Sequence, residues 1–226
     1  VGKPDYLLLF AIVAVFMVVA VAILFFTIKE NKIAKEMAAY DEPEKDEVAA
    51  EGSQKMDPAV KRSFWLILAS IFFWFFSYNA VTTAFSKYLQ SHLGVAGGGF
   101  ASSLMIATVA AVIAFIPAGM IAARLGRKRT ILTGIVVLAV SFALASLFTT
   151  FSPLLNILLV FVGFGWAAIN VNSYPMVVEM AKGPEIGKYT GYYYTASMSA
   201  QILTPVLSGF FLEHVGYGTL FPYATV

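Results

Sequence analysis

Three long apolar runs of this sequence contain amide, hydroxyl and phenol side chains at helical spacing. Inside a bilayer such groups are costly, and they usually face the interior of a helix bundle or a water-filled cavity. Amides and hydroxyls beside aromatic rings suit hydrogen bonding and stacking on a neutral polyhydroxy compound better than binding of a strong ion. The candidate substrate-binding residues are Tyr78, Asn79, Thr82, Asn170, Asn172, Tyr174, Tyr193, Ser197 and Gln201.

The first run has its polar residues on one broad helix face. Tyr78 and Thr82 are four residues apart. Asn79 and Thr83 repeat that spacing, and Ser86 follows seven residues after Asn79. Two interpretations stay open: contact with a solute, or hydrogen bonds between helices, which contribute about 1 kcal/mol each in a membrane.

The second run places its polar residues on two faces. Asn170 and Tyr174 share one face with Trp166, whereas Asn172 lies on another. Pro175 has no N–H and crowds the carbonyl four residues earlier, which predicts a bend and a free Val171 carbonyl. Two asparagines just before a proline are the best single candidate for a polar ligand site. The alternative is that they tie helices together.

The third run carries a continuous polar stripe on an otherwise apolar helix. Its members step by three or four residues: Tyr193, Ser197, Gln201, Thr204 and Ser208. The stripe faces either a solute or another helix. By contrast, the run at 99–123 has a face of small residues that predicts close helix packing: Ala107, Ala111, Ala114, Ala118 and Ala122.

The composition indicates that these runs cross a membrane. Hydrophobic residues make up 59% of the 226 residues and charged residues only 12%, whereas soluble proteins have about a quarter charged. A bilayer core needs about 20 helical residues to cross it. Apolar runs of this length lie at 6–28, 63–87, 99–123, 130–149, 154–178 and 189–212, and a seventh begins near 219. The predicted fold is all-α, a polytopic membrane helix bundle.

Several function classes find no support in the sequence. A net charge of +2 is too small to indicate a nucleic-acid partner. The absence of cysteine excludes disulfides and thiolate chemistry, and only two histidines are present, so we expect no metal site or other cofactor. No nucleophile has a positioned base and no phosphate-binding loop is present, so we do not expect an enzyme.

The basic residues predict the orientation of the bundle. The connections at 29–62, 124–129 and 179–188 share one side and hold thirteen of the fifteen lysines and arginines. Such residues accumulate in the cytoplasm, so these connections are predicted to be cytoplasmic in a multi-pass protein of the cell membrane. The predicted organisation is one span at 1–28, a charged linker at 29–62, and a truncated bundle at 63–226.

The stretch GMIAARLGRKRTIL, residues 119–132, resembles a motif of major facilitator superfamily transporters, G-x-L-A-D-R-x-G-R-K/R-x-x-L, found in the turn between the second and third helices of each half. Gly119, Arg124, Gly126, Arg127 and Lys128 match, while Ala123 replaces the acidic residue. In the family this turn latches the cytoplasmic side closed. The resemblance therefore implies a gating role for the five matching residues, with Glu179 as the acid opposite Arg124 or Arg127.

Downstream, WAAINVNSYPMVVEM and the following GPEIGKYTGYYYTASMSAQILTPVLSGFFLEHVGYGTLFPYA resemble glycoside-pentoside-hexuronide cation symporters and bacterial relatives of sucrose transporters. That family has two six-helix halves around a cavity, each half built from inverted three-helix repeats. The chain would hold the sixth helix, the central linker, helices seven to eleven and the start of the twelfth. Its partners would be the lipid bilayer, a small solute and the missing N-terminal half.

The resemblance implies a secondary active transporter that moves a sugar or glycoside in symport with H+ or Na+. Two alternatives stay open: an exporter or antiporter of another small solute, and a membrane sensor or scaffold. Coupling usually needs an acidic residue near the cavity. No acid lies deep in a complete span, so the coupling carboxylate is expected in the missing half.

Overall fold

A computed structural model describes residues 7–27, 57–95, 99–181 and 185–225. Every regular element in these ranges is a helix. The helices are α1 (Leu7–Thr27), α2 (Pro58–Ser91), α3 (Gly99–Leu125), α4 (Arg127–Ala145), α5 (Pro153–Val178), α6 (Ile186–His214), a 3-10 helix (Tyr217–Thr219) and α7 (Leu220–Thr225). Helices α1 to α6 are long and apolar enough to cross a bilayer. The predicted polytopic helix bundle is confirmed.

The chain divides into two units, residues 1–55 and 56–226. The first contains α1, which carries apolar residues on all sides. Most of the predicted linker, up to position 56, lies outside the described residues. Helix α2 begins at Pro58, inside the predicted linker. The cause is local: the Asp57 carboxylate accepts a hydrogen bond from the Ala59 N–H at 2.9 Å, and proline is favoured in the first helical turn.

The pattern of contacts between helices is repeated within the second unit. Helix α5 packs along α3 and α4, while α2 packs along α6 and α7. Exchanging α2, α3 and α4 for α5, α6 and α7 converts the first set of contacts into the second. This is the pattern that two inverted three-helix repeats produce, as the family resemblance implied.

Small residues bring the helices around α5 unusually close together. The five alanines predicted to form a packing face on α3 are all buried. Opposite them, a Cβ atom at Gly163 would lie only 2.3 Å from the Ala107 carbonyl oxygen. On the α4 side, a Cβ at Gly134 would lie 2.7 Å from the Gly165 carbonyl oxygen. These contacts exist because glycine faces alanine on α3 and glycine on α4, which confirms the prediction of close packing.

The proline in α5 does not end the helix. Helix α5 continues through Pro175 to Val178, and the Glu179 N–H donates to the Pro175 carbonyl at 2.9 Å. The polar residues on either side of Pro175 therefore stay in one helical register, and their faces can be compared directly.

Candidate functional site

Residues of helices α2, α3, α4 and α5 line a cavity of about 140 Å³. Most of its wall is apolar, and its polar groups come from Tyr78, Thr82 and Thr108. The lining residues are Tyr78, Val81, Thr82, Leu104, Ala107, Thr108, Phe142, Leu159 and Val162. Two of the predicted site residues, Tyr78 and Thr82, thus line one cavity, and the sequence reasoning missed Thr108.

The two threonines present acceptors rather than donors to this cavity. The Thr82 hydroxyl donates to the Tyr78 carbonyl of its own helix at 3.2 Å. The Thr108 hydroxyl donates to the Leu104 carbonyl at 3.0 Å. A hydroxyl has one proton and two lone pairs, so each of these oxygens keeps acceptor capacity. The Tyr78 hydroxyl makes no hydrogen bond to a described residue, so it can donate as well as accept.

A tryptophan fixes the ring of Tyr78. The rings of Tyr78 and Trp166 stack with centroids 3.8 Å apart and an interplanar angle of 4°. Phe75 packs edge-on against the same indole at 5.0 Å. Trp166 is 9% exposed, so both partners leave little of it free. The aromatic contact therefore holds Tyr78 at the cavity wall.

Asn79 and Thr83 do not line this cavity. The Asn79 amide donates to the Phe75 carbonyl at 2.7 Å, and the Thr83 hydroxyl donates to the Asn79 carbonyl at 2.6 Å. Each side chain thus donates one hydrogen bond within α2. The structure divides the polar face predicted for this run into a part that lines the cavity and a part that does not.

The two asparagines of α5 occupy different environments. Asn170 is half-buried, shares the helix face of Trp166, and makes no side-chain hydrogen bond to a described residue. Asn172 is fully buried, and its Nδ2 donates to the Ala168 carbonyl at 2.8 Å, while its Oδ1 has no partner among the described residues. It lies seven residues from Gly165, which packs against α4. Asn172 therefore lies on the packing face of α5, away from Trp166.

Hydroxyl pairs join α5 to α6. The Tyr193 hydroxyl lies 3.1 Å from the Ser173 hydroxyl, and the Tyr174 hydroxyl lies 3.1 Å from that of Thr190. The rings of Tyr174 and Tyr193 are 5.3 Å apart. Ser173 and Thr190 were not identified from the sequence, because their partners are on another helix. These contacts favour the interhelical interpretation for Tyr174 and Tyr193.

The other polar residues of the α6 stripe differ in burial and in hydrogen-bond partners. Ser197 is buried and its hydroxyl donates to the Tyr194 carbonyl at 3.3 Å. Gln201 is exposed, and its Nε2 lies 3.4 Å from the Ser197 carbonyl. Ser208 is buried and hydrogen-bonds to the Tyr223 hydroxyl of α7. Most of the stripe thus faces neighbouring helices within the bundle, and Gln201 does not.

The basic turn between α3 and α4 is tied to the end of α5. Gly126 separates the two helices with φ +86°, a conformation that side chains disfavour. The Nε of Arg127 donates to both carboxylate oxygens of Glu179, at 2.9 and 3.0 Å, and its Nη2 also donates to Oε1. The side chains are 36% and 58% exposed. The predicted pairing of this turn with Glu179 is confirmed for Arg127.

The other motif residues have different surroundings. Arg124 and Lys128 are exposed and form no ion pair with a described residue. Gly119 is half-buried at the α3–α5 contact, where a Cβ atom would lie 3.8 Å from a Val171 side-chain carbon. The turn therefore contacts α5 through Arg127, and α3 contacts α5 near Gly119.

Comparison with known proteins agrees with the architecture and with the motif. The family model of the Major Facilitator Superfamily matches residues 86–223, more than half of the chain and the segment that contains the basic turn. A search of curated proteins finds no match. The chain therefore belongs to the major facilitator superfamily, a family of membrane transporters.

Proposed function

We propose that this protein is a secondary active transporter that moves a small polar solute, a sugar or glycoside, in symport with H+ or Na+ by alternating access. The observation that carries the proposal is the cavity of Tyr78, Thr82 and Thr108. Its two threonine oxygens are acceptors whose own protons are already used. Such a wall matches the O–H donors of a polyol.

The chemistry of the cavity supports a neutral solute. None of its lining residues is charged. A strong ion would need compensating charge in this low-dielectric site, whereas a neutral hydroxyl compound needs only hydrogen bonds and ring faces. Asn170, on the Trp166 face of α5, extends the polar contacts beyond the cavity.

The Arg127–Glu179 pair serves as the gate in this proposal. It joins the α3–α4 turn to the end of α5, so separation of these elements must break it. Gly119 and Gly126 allow the close contact and the tight turn. Arg124 and Lys128, which are exposed and form no ion pair with a described residue, add positive charge beside the pair. Because Glu179 is already paired with Arg127, it does not serve as the coupling carboxylate in this proposal.

Uptake by the full-length protein in proteoliposomes tests the solute and the coupling. A panel of labelled sugars and glycosides would be measured with a proton gradient, with a sodium gradient and with neither. Gradient-driven accumulation of one glycoside is the expected result. Accumulation of none of them, or export against the gradient, would contradict symport and favour the exporter interpretation.

A pair of asparagine variants tests the site. Asn170→Ala is expected to weaken solute binding about 3- to 10-fold, the effect of one lost hydrogen bond, while the thermal transition stays unchanged. Asn172→Ala is the matched control: it should lower thermal stability and leave the binding constant unchanged, because Asn172 is fully buried on the packing face. Equal effects of the two variants on binding would contradict this assignment.

A further inference from the structure

The first turns of α2 and α6 meet at one end of the bundle through aromatic rings. Phe64 of α2 lies 5.0 Å from the ring of Tyr189 and 5.6 Å from that of Tyr192, both on α6. Trp65 lies 6.0 Å from Tyr192. Phe64 and Tyr189 are buried, whereas Trp65 is 53% exposed and Tyr192 is half-buried. Trp65 and Tyr192 thus form an aromatic surface between the two helices.

Each helix places a lysine above this surface in the same way. Lys61 precedes Trp65 by four residues, and Lys188 precedes Tyr192 by four residues. Residues four apart share a helix face, and helical side chains lean toward the N-terminus. Both ammonium groups therefore extend from the aromatic pair toward the water. Arg62, also exposed, adds a third cation at this end.

Among the described residues these three cations outnumber the two neighbouring acids, Asp57 and Glu185. Lys61 and Arg62 form no ion pair there. Lys188 pairs with Glu185 at 3.3 Å, but both side chains are about half exposed, and such pairs contribute little. The Asp57 carboxylate accepts from the Ala59 N–H instead. Positive charge and exposed aromatic rings thus occur together at the end of two spans.

We propose that this α2–α6 surface binds the phosphate headgroup of an anionic phospholipid. Tryptophan and tyrosine in spans lie at the level of the headgroups, so Trp65 and Tyr192 set the depth of the surface. One turn further out, Lys61 and Lys188 reach the phosphate. Basic surfaces between membrane helices bind acidic headgroups in this way, and each cation strengthens attraction to an anionic leaflet.

Native mass spectrometry of the full-length protein, with equal amounts of phosphatidylglycerol and phosphatidylcholine, tests the proposal. We expect the wild type to retain phosphatidylglycerol preferentially. Lys61→Gln and Lys188→Gln should each weaken that binding about fivefold. Lys61→Arg keeps the positive charge and should bind the lipid as the wild type does. The matched control is Lys87→Gln, which removes an exposed cation near the other end of α2 and should change nothing.

Three results would overturn the proposal. The first is a wild type that retains both lipids equally. The second is a double variant of Lys61 and Lys188 that keeps the wild-type preference. The third is displacement of the lipid by glycerol 3-phosphate at equal concentration, which would identify a site for soluble phosphate compounds. Loss of transport alone does not enter the test, since binding is measured directly.

Discussion

Two helix contacts that occupy equivalent places in the bundle are built from opposite kinds of residue. Helices α3 and α5 meet through Gly163 and the alanines of α3, with backbone against backbone. Helices α2 and α6 meet through rings, with Phe64 packed against Tyr189 and Tyr192. The two contacts are equivalent positions of the repeated contact pattern, but their side chains differ completely.

The difference indicates which helix contacts can rearrange during transport. In lipid, helices associate through packing and hydrogen bonds, because there is no hydrophobic driving force between them. A backbone contact has no side chain that can move aside, so the middle parts of α3, α4 and α5 form a rigid block around Gly163 and Gly165. Their ends, which exposed side chains of Arg127 and Glu179 join, can still separate. Ring contacts can be exchanged by rotation about side-chain bonds. We therefore expect movement during the transport cycle between α5 and α6, where the contacts are rings and hydroxyl pairs.

The largest effect is expected from Gly163→Ala. The added methyl group would lie 2.3 Å from the Ala107 carbonyl oxygen and 2.9 Å from the Ala111 nitrogen, so α3 and α5 must separate. We expect a loss of stability of roughly 3 kcal/mol or failure to fold, measured as the thermal transition of the purified protein. Gly191→Ala is the control, since a Cβ there meets nothing within 4 Å. Equal stability of the two variants would refute the rigid block.

A smaller effect is expected on the aromatic side of the comparison. Phe64→Leu removes the ring contacts to Tyr189 and Tyr192, and aromatic pairs contribute about 0.5–1.5 kcal/mol each. We expect a loss of about 1–2 kcal/mol in the same measurement, with the protein still folded. Phe73→Leu, at an exposed position of the same helix, should have little effect. If Phe64→Leu unfolded the protein, the α2–α6 contact would tolerate substitution no better than the α3–α5 contact.

The smallest effect on stability is expected at the proposed gate. Glu179→Gln weakens an exposed ion pair, which contributes about 1 kcal/mol at most. The thermal transition should hardly move. A change of about 1 kcal/mol shifts the ratio of the conformations with the gate closed and open about fivefold. The transport rate of the full-length protein should therefore fall severalfold.

Glu185→Gln provides the control for this variant. It breaks an ion pair of similar exposure, with Lys188, at the start of one helix, and it should leave the transport rate unchanged. If both variants slow transport equally, the contact between the α3–α4 turn and α5 does not act as a gate.

Helical periodicity made much of the bundle predictable. The spans, the alanine face of α3 and the role of Gly126 follow from spacing and residue type, which act within one helix. The pairing of Arg127 with Glu179 was accessible because Glu179 directly follows the apolar run at 154–178, on the same predicted side as the basic turn. Helix α2 extends beyond the apolar run at 63–87 to Pro58, and Asp57 followed by Pro58 is a recognisable start signal for it.

The candidate site was only partly predictable, because a helix face does not reveal its neighbour. Asn170 and Asn172 are similar in sequence, yet one shares the face of Trp166 and the other is buried on the packing face. The stack of Tyr78 on Trp166 joins residues 88 positions apart. Thr108 could have been noticed, since it is an isolated hydroxyl next to the alanine face. Its place in the cavity depends on how α2, α3, α4 and α5 pack together.

The central claim is that the cavity of Tyr78, Thr82 and Thr108 binds the transported solute. Two neighbouring threonines test it, because both hydroxyls donate to their own helix and only Thr82 lines the cavity. The measurement is the dissociation constant of the transported glycoside for Thr82→Val and Thr83→Val in the full-length protein. We predict that Thr82→Val weakens binding about 3- to 10-fold and that Thr83→Val leaves it unchanged. Equal binding by both variants would contradict the claim.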